Sequence, residues 1–195
     1  MFLLMTQETD EKITDPRILL HSCCAPCAAP SSERLIKNGD TVVLFFSNSN
    51  IYPHKEYLKR LDYVKKLADH FNIEVVEDTW DHDEWLEAVR GLEAEPEKGA
   101  RCNTCFAFNL KRTKKKADEL GLQRFTTTLT LSPHKISAEI FNSGRNFDGF
   151  VEENFKKMDG FRRSLELSRE LDLFRQDYCG CEFSLAGKKE KPEIP

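Results

Sequence analysis

Seven cysteines fall in three short groups: Cys23, Cys24 and Cys27, then Cys102 and Cys105, then Cys179 and Cys181. None stands alone. Grouping of this kind brings thiolates from several segments to one point, so the fold must close three distant stretches on each other. Soft thiolates favour zinc or an iron–sulfur cluster, and four sulfur donors complete either one. A closed zinc site that only holds the fold, inert buried thiols, and a metal-free thiol–disulfide pair are the alternatives. Inert thiols fit poorly with three groups. A structural zinc site uses four ligands and leaves three thiols over, which a second metal or a redox pair would use. A Cys179–Cys181 disulfide would close a very small ring and be easily reduced.

The compartment expected from the sequence agrees with this chemistry. No apolar run approaches membrane-spanning length. The start, MFLLMTQETDEK, is too short in its apolar part and too acidic for a secretory signal. A reducing cytoplasm follows as the expectation, where structural disulfides are rare. The net charge of −4 over 195 residues gives no global drive toward nucleic acid, so RNA binding needs local basic patches.

The hydrophobic pattern predicts strands at 17–21, 41–46, 73–76 and 124–128. Helices are predicted at 31–38, 54–70 (with Leu58, Leu61, Val64 and Leu67 on one face), 84–90, 103–120, 135–142 and 157–174. SCCAPCAAP reads as a loop because Pro26 and Pro30 disfavour regular structure. Alternating strands and helices predict one α/β domain over 1–195, with a mainly parallel sheet flanked by helices, a helical C-terminal part, and loose ends at 1–16 and 186–195. Ligands in such sheets bind beyond the carboxyl ends of the strands. The loops predicted there are SCCAPC, SNSNIYP and LTLSPHK.

Other residues carry weaker signals. His21 precedes the first cysteine group, either as ligand or as a core histidine. In SPHK, phosphate at a helix start, with Lys135 adding charge, stands beside an ordinary Ser-Pro helix start. The acidic stretch Asp78, Asp81, Asp83 and Glu84 offers a hard metal ligand or a solvated helix N-terminus. Lys111–Lys116, and Lys156, Lys157, Arg162 and Arg163, are either RNA-facing runs or solvated faces.

The segments LLHSCCAPCAAP, SNSNIYPHKEYLKR, GLEAEPEKGARCNTCFAFNLKRT, RFTTTLTLSPHK and FKKMDGFRRSLELSRELDLFRQDYCGC together resemble the epoxyqueuosine reductase QueH family. They span most of 18–184 and include all seven cysteines. The resemblance implies a Rossmann/HUP-like sheet and reduction of epoxyqueuosine to queuosine in tRNA, the last step in making that wobble base. The epoxide oxygen leaves as water, at a cost of two electrons and two protons. It also implies a [4Fe–4S] cluster on Cys23, Cys24, Cys102 and Cys105, with Cys179 and Cys181 as the redox-active pair. Cys27 is left over, and with Asp81 it is the candidate to hold an additional mononuclear iron. His134, Tyr178 and Asp81 are the candidate proton donors. Asn48, Asn50, His54, Arg101, Lys111, Arg112, Ser132, Lys135, Arg162 and Arg163 are the expected RNA or substrate contacts. The partners implied are tRNA bearing epoxyqueuosine and an unidentified electron donor. Two rivals remain. A PP-loop-like tRNA-modifying enzyme would need a Gly/Ser-rich loop after the first strand, and SCCAPC has no glycine. A zinc-stabilised tRNA-binding module would need no catalysis.

Overall fold

The computed structural model describes residues 15–189. The two most apolar runs, Arg17–Ser22 (β1) and Thr41–Phe46 (β2), are buried from their second residue onward and pair in parallel. Glu74–Glu77 (β3) adds to β2 and Phe125–Thr127 (β4) adds to β1, both parallel, giving the order β3-β2-β1-β4. Successive strand residues point to opposite faces, and both faces are covered, which is why β1 and β2 read as continuous apolar runs. Ile18, Leu20, Val42, Leu44 and Phe46 pack on one side against Ala25–Lys37 (α1) and His54–Phe71 (α2). Leu19, Val43 and Phe45 pack on the other against Ala100–Glu119 (α4). His82–Ala88 (α3) and Ser137–Gly144 (α5) flank α4, while Gly160–Glu170 (α6) covers α1. Glu182–Lys189 (α7) closes the described chain. The α/β class with a parallel sheet and a helical C-terminal part is as expected. Among the described residues, no helix is long and apolar enough to cross a membrane.

The boundaries differ where tertiary contacts override local signals. SCCAPCAAP is not a loop: α1 begins at Ala25 and contains both prolines. Pro26 sits in the first turn, where a missing N–H costs nothing. Pro30 cannot donate to the Pro26 carbonyl one turn back, and the Ser164 hydroxyl of α6 donates to that carbonyl instead, at 2.6 Å. The helix that was to start at Asn103 starts at Ala100, so Cys102 and Cys105 lie one turn apart in its first turns. Leu58 is exposed, and Tyr57 takes its place in the core. The predicted 157–174 helix is shorter because Gly160 must open it: a Cβ there would lie 1.8 Å from the Phe155 carbonyl oxygen. Of the two ends expected to be loose, 1–14 and 190–195 lie outside the described residues, and 186–189 belong to α7.

Candidate metal centre and active site

The carboxyl end of β1 delivers the first cysteine group. Cys23 follows the strand, Cys24 is the N-cap of α1, and Cys27 lies in its first turn. The short step from strand to helix aims all three thiols at one point, and their Sγ atoms lie within 4.8 Å of one another. Cys23 and Cys24 Sγ are 3.8 Å apart. Gln176 Nε2 donates to Cys24 Sγ at 2.9 Å. Bonds from Cys23 and Cys27, the Arg60 charge and this amide hold the Cys24 thiol well below its ordinary value. The same bonds hold Cys23 and Cys27 up, Cys27 strongly so. The group thus favours one thiolate with two thiols donating to it, a donor set suited to a soft metal.

The triad opens on a cleft of about 420 Å³ lined by Cys23, Cys27, Ser132, His134, Lys135, Gln176, Tyr178 and Cys179, among others. A narrow extension of about 20 Å³ shares His134, Lys135 and Cys179 and reaches Cys102. Cysteines from all three groups therefore face contiguous space. Burial lowers the proton affinity of the Lys135 ammonium, but the surrounding Cys179, Cys23, Cys27 and Cys24 outweigh it, and the net shift is upward.

The last group is positioned by residues far away in sequence. The Arg60 side chain is fully buried, bonded to Glu56 (2.8 Å) and to the carbonyls of Cys179 (3.0 Å) and Tyr178 (3.4 Å). Tyr52 N–H donates to the Gly180 carbonyl at 2.9 Å. Gly180 has φ +141°, and a Cβ there would press on Ile51 and Arg60, so the position requires glycine. Cys181 packs with Trp85, Val89 and Cys105. Burial pushes the Cys181 thiol up to about 11 and that of Cys105 higher still. Cys102 Sγ accepts from Lys98 N–H at 3.2 Å. All seven cysteines are free thiols.

Residues 18–187 match the family model for epoxyqueuosine reductase QueH. The chain belongs to the QueH family. A QueH from Streptococcus pyogenes is 38% identical over 191 residues, covering 92% of this chain and 74% of that protein. One from Acinetobacter baylyi is 37% identical over 175 residues (87% and 80%), and one from Thermotoga maritima 36% over 182 (89% and 93%). Among solved structures, the fold is similar to the U34-tRNA thiolase NcsA from Methanococcus maripaludis with its [4Fe-4S] cluster. The TM-score is 0.54 at 11% identity, over 89% of this chain and 64% of that one, a likeness that shows the fold alone.

The QueH-family site departs from the expected ligand division. Cys27 joins Cys23 and Cys24, and among the described residues no carboxylate joins them. Asp81 instead caps α3, accepting from Glu84 N–H at 2.9 Å. Asp81 is not brought to Cys27: α1 begins at Ala25, six residues before the helix expected at 31–38, and places Cys27 beside Cys23 and Cys24. Cys102 and Cys105 belong to no such close group.

The other expected contacts divide clearly. Ser132, His134, Lys135 and Tyr178 line the cleft. The Tyr178 hydroxyl donates to the Tyr52 carbonyl at 2.7 Å. Asn48 and Asn50 are buried, Asn48 donating to the Ser22 carbonyl and Asn50 accepting from Asn109. Arg101 is buried on the carbonyls of Leu92, Glu93 and Glu95, and holds that loop. Arg112 is paired with Asp78 and Glu84, Arg162 with Asp159, and Arg163 with Glu33, Glu166 and Glu170. Lys111 is exposed on α4. His54 stacks on Trp80 and Tyr57. His21 is a satisfied core histidine: Nε2 faces the Ser47 carbonyl (3.0 Å), Nδ1 faces Thr127 Oγ1 (2.8 Å), and burial lowers its proton affinity. Sequence reading missed Arg60 and Gln176. Arg60 sits on the buried stripe of α2, where a charge needs a partner from elsewhere; Gln176 carried no such signal.

Proposed function

We propose that this chain reduces epoxyqueuosine to queuosine in tRNA, at the cleft above the Cys23–Cys24–Cys27 triad. Membership of the QueH family supports the reaction. The observation that carries its location is the triad, at the end of the sheet where parallel α/β folds bind ligands. The donor set fits a soft metal group: three thiols on one point, one favoured as thiolate, with an amide N–H already on its sulfur. Cys23, Cys24 and Cys27 would hold an iron–sulfur cluster, with one cysteine of α4, Cys102 or Cys105, as the fourth donor. Such a cluster supplies electrons at low potential.

The chain's own residues do the rest. Loss of the epoxide oxygen as water takes two electrons and two protons. Oxidation of Cys179 and Cys181 together to a disulfide releases that number of each, and an external donor must then restore the dithiol. Lys135 lines the cleft and is the candidate proton donor to the substrate oxygen, while the Tyr178 hydroxyl beside it is already given to the Tyr52 carbonyl. The base has to leave the anticodon stack to enter a cleft of this depth.

Anaerobic turnover of tRNA carrying epoxyqueuosine, read by nucleoside mass spectrometry, tests the reading. Formation of queuosine supports it; intact epoxide with reduced, iron-loaded protein sinks it. One observation favours a second reading of the metal. Four sulfurs at 2.3 Å around one tetrahedral ion lie about 3.8 Å apart, which is the Cys23–Cys24 separation. Metal analysis separates the two: colourless protein with one zinc per chain supports the single ion, and brown, dithionite-bleached protein supports the cluster.

A further inference from the structure

Three lysines from three separate loops, Lys98, Lys135 and Lys156, lie near one another beside the cleft. Lys135 lines both the cleft and its narrow extension. Lys98, at φ +73° in the 91–99 loop, lines the extension. Lys156, from the loop before α6, donates through Nζ to the Lys135 carbonyl. Lys156 is held below the ordinary lysine value, by burial first and then by the charges of Lys135 and Lys98. Like charges this close are destabilising unless an anion joins them. Glu97, which also lines the cleft, and Glu139 line the extension, and neither forms an ion pair with these lysines. Elsewhere the basic side chains of α4 and α6 are largely neutralised: Arg112, Lys114, Lys116, Arg162 and Arg163 all have carboxylate partners.

We propose that Lys98, Lys135 and Lys156 form a phosphodiester site that holds the RNA backbone next to the nucleoside being reduced. The site rests on the reading that RNA is the substrate. It gives a protein of net charge −4 a local positive site for RNA, beside the cleft that a flipped base would enter. The ligand class is a phosphate diester, recognised by charge and not by sequence. The basic runs of α4 and α6 then serve mainly as paired surface.

The test compares Lys98→Gln, Lys156→Gln and the double variant with the wild-type holoenzyme. Two readouts are used: affinity for an unmodified anticodon stem–loop across a salt series, and reduction of epoxyqueuosine as the free nucleoside, which has no phosphate. The double variant should bind the stem–loop roughly tenfold more weakly at low salt. Its slope of log affinity against log salt should be shallower by about 0.7, the loss of one neutralised phosphate on a single strand. Its rate on the free nucleoside should match wild type. Arginine at both positions should restore binding, which separates charge from loop packing. Unchanged affinity and slope overturn the proposal, as does loss of binding that arginine fails to rescue. Should wild type reduce neither the free nucleoside nor tRNA carrying epoxyqueuosine while the variants still lose stem–loop affinity, the functional reading fails and the phosphate site stands.

Discussion

The cysteines at the two ends of the chain are held in opposite ways. Cys23, Cys24 and Cys27 sit on a continuous strand-to-helix step, and their convergence follows from the local register of β1 and α1. Cys179 and Cys181 lie in a segment between α6 and α7 that forms neither helix nor strand. They are placed by contacts with residues more than a hundred positions earlier, Arg60 and Tyr52. A pre-organised group suits holding a metal, since its geometry does not have to be assembled on binding. A group placed by long-range contacts can shift between two covalent states without rebuilding a helix. On the proposed function, the contrast fits metal retention in the first region and electron delivery in the second.

The largest effect that can break this contrast is loss of the metal. Cys24→Ala should abolish both bound iron and turnover, whereas Cys179→Ala should abolish turnover and keep the iron, as measured by metal analysis and visible absorption. Iron lost in Cys179→Ala would merge the two regions into one ligand set. Next comes Arg60→Met. It leaves Glu56 and two carbonyls buried without their cation, and should destabilise the fold by about 3–5 kcal/mol. Denaturant melting measures that cost, and limited proteolysis should show the 175–181 segment opening first.

Smaller still is Gln176→Leu, which removes the N–H donor to Cys24 Sγ and spares every thiol. Metal affinity should fall about 10- to 100-fold, the usual cost of losing an outer partner, as read by chelator competition. An unchanged affinity would mean that Cys24 is not a ligand. The smallest effect is pH-dependent. Burial raises the proton affinity of Asp78, but bonds from Arg112 and Ser47 outweigh it and the net shift is downward. A lowered folded-state value contributes stability above the ordinary carboxyl value of 3.8, lost as the pH falls through the lower one. Asp78→Asn should therefore cost about 1–2 kcal/mol near neutrality, partial solvent screening included. The difference from wild type should vanish in acid. A difference that persists there would trace to packing.

The α/β class, all four strands, the C-terminal end of α1 and both ends of α2 were legible because apolar runs and their stops encode local burial. The sequence also determined that thiols from three stretches would meet, since only a shared site explains their grouping. What it could not show was how they divide. Pro26 and Pro30 read as helix breakers, and only a hydroxyl from α6, 138 positions beyond Pro26, makes the helix that carries Cys27 tolerable. Nor does local sequence reveal that Arg101, Arg112 and Arg163 are engaged within the protein while Lys98 and Lys135 line the cleft and its extension without a carboxylate partner among the described residues. Charge is written in the sequence, but whether a charge is spent on an internal partner or kept for a ligand depends on what the fold places within about 4 Å of it, where Coulomb energy decides.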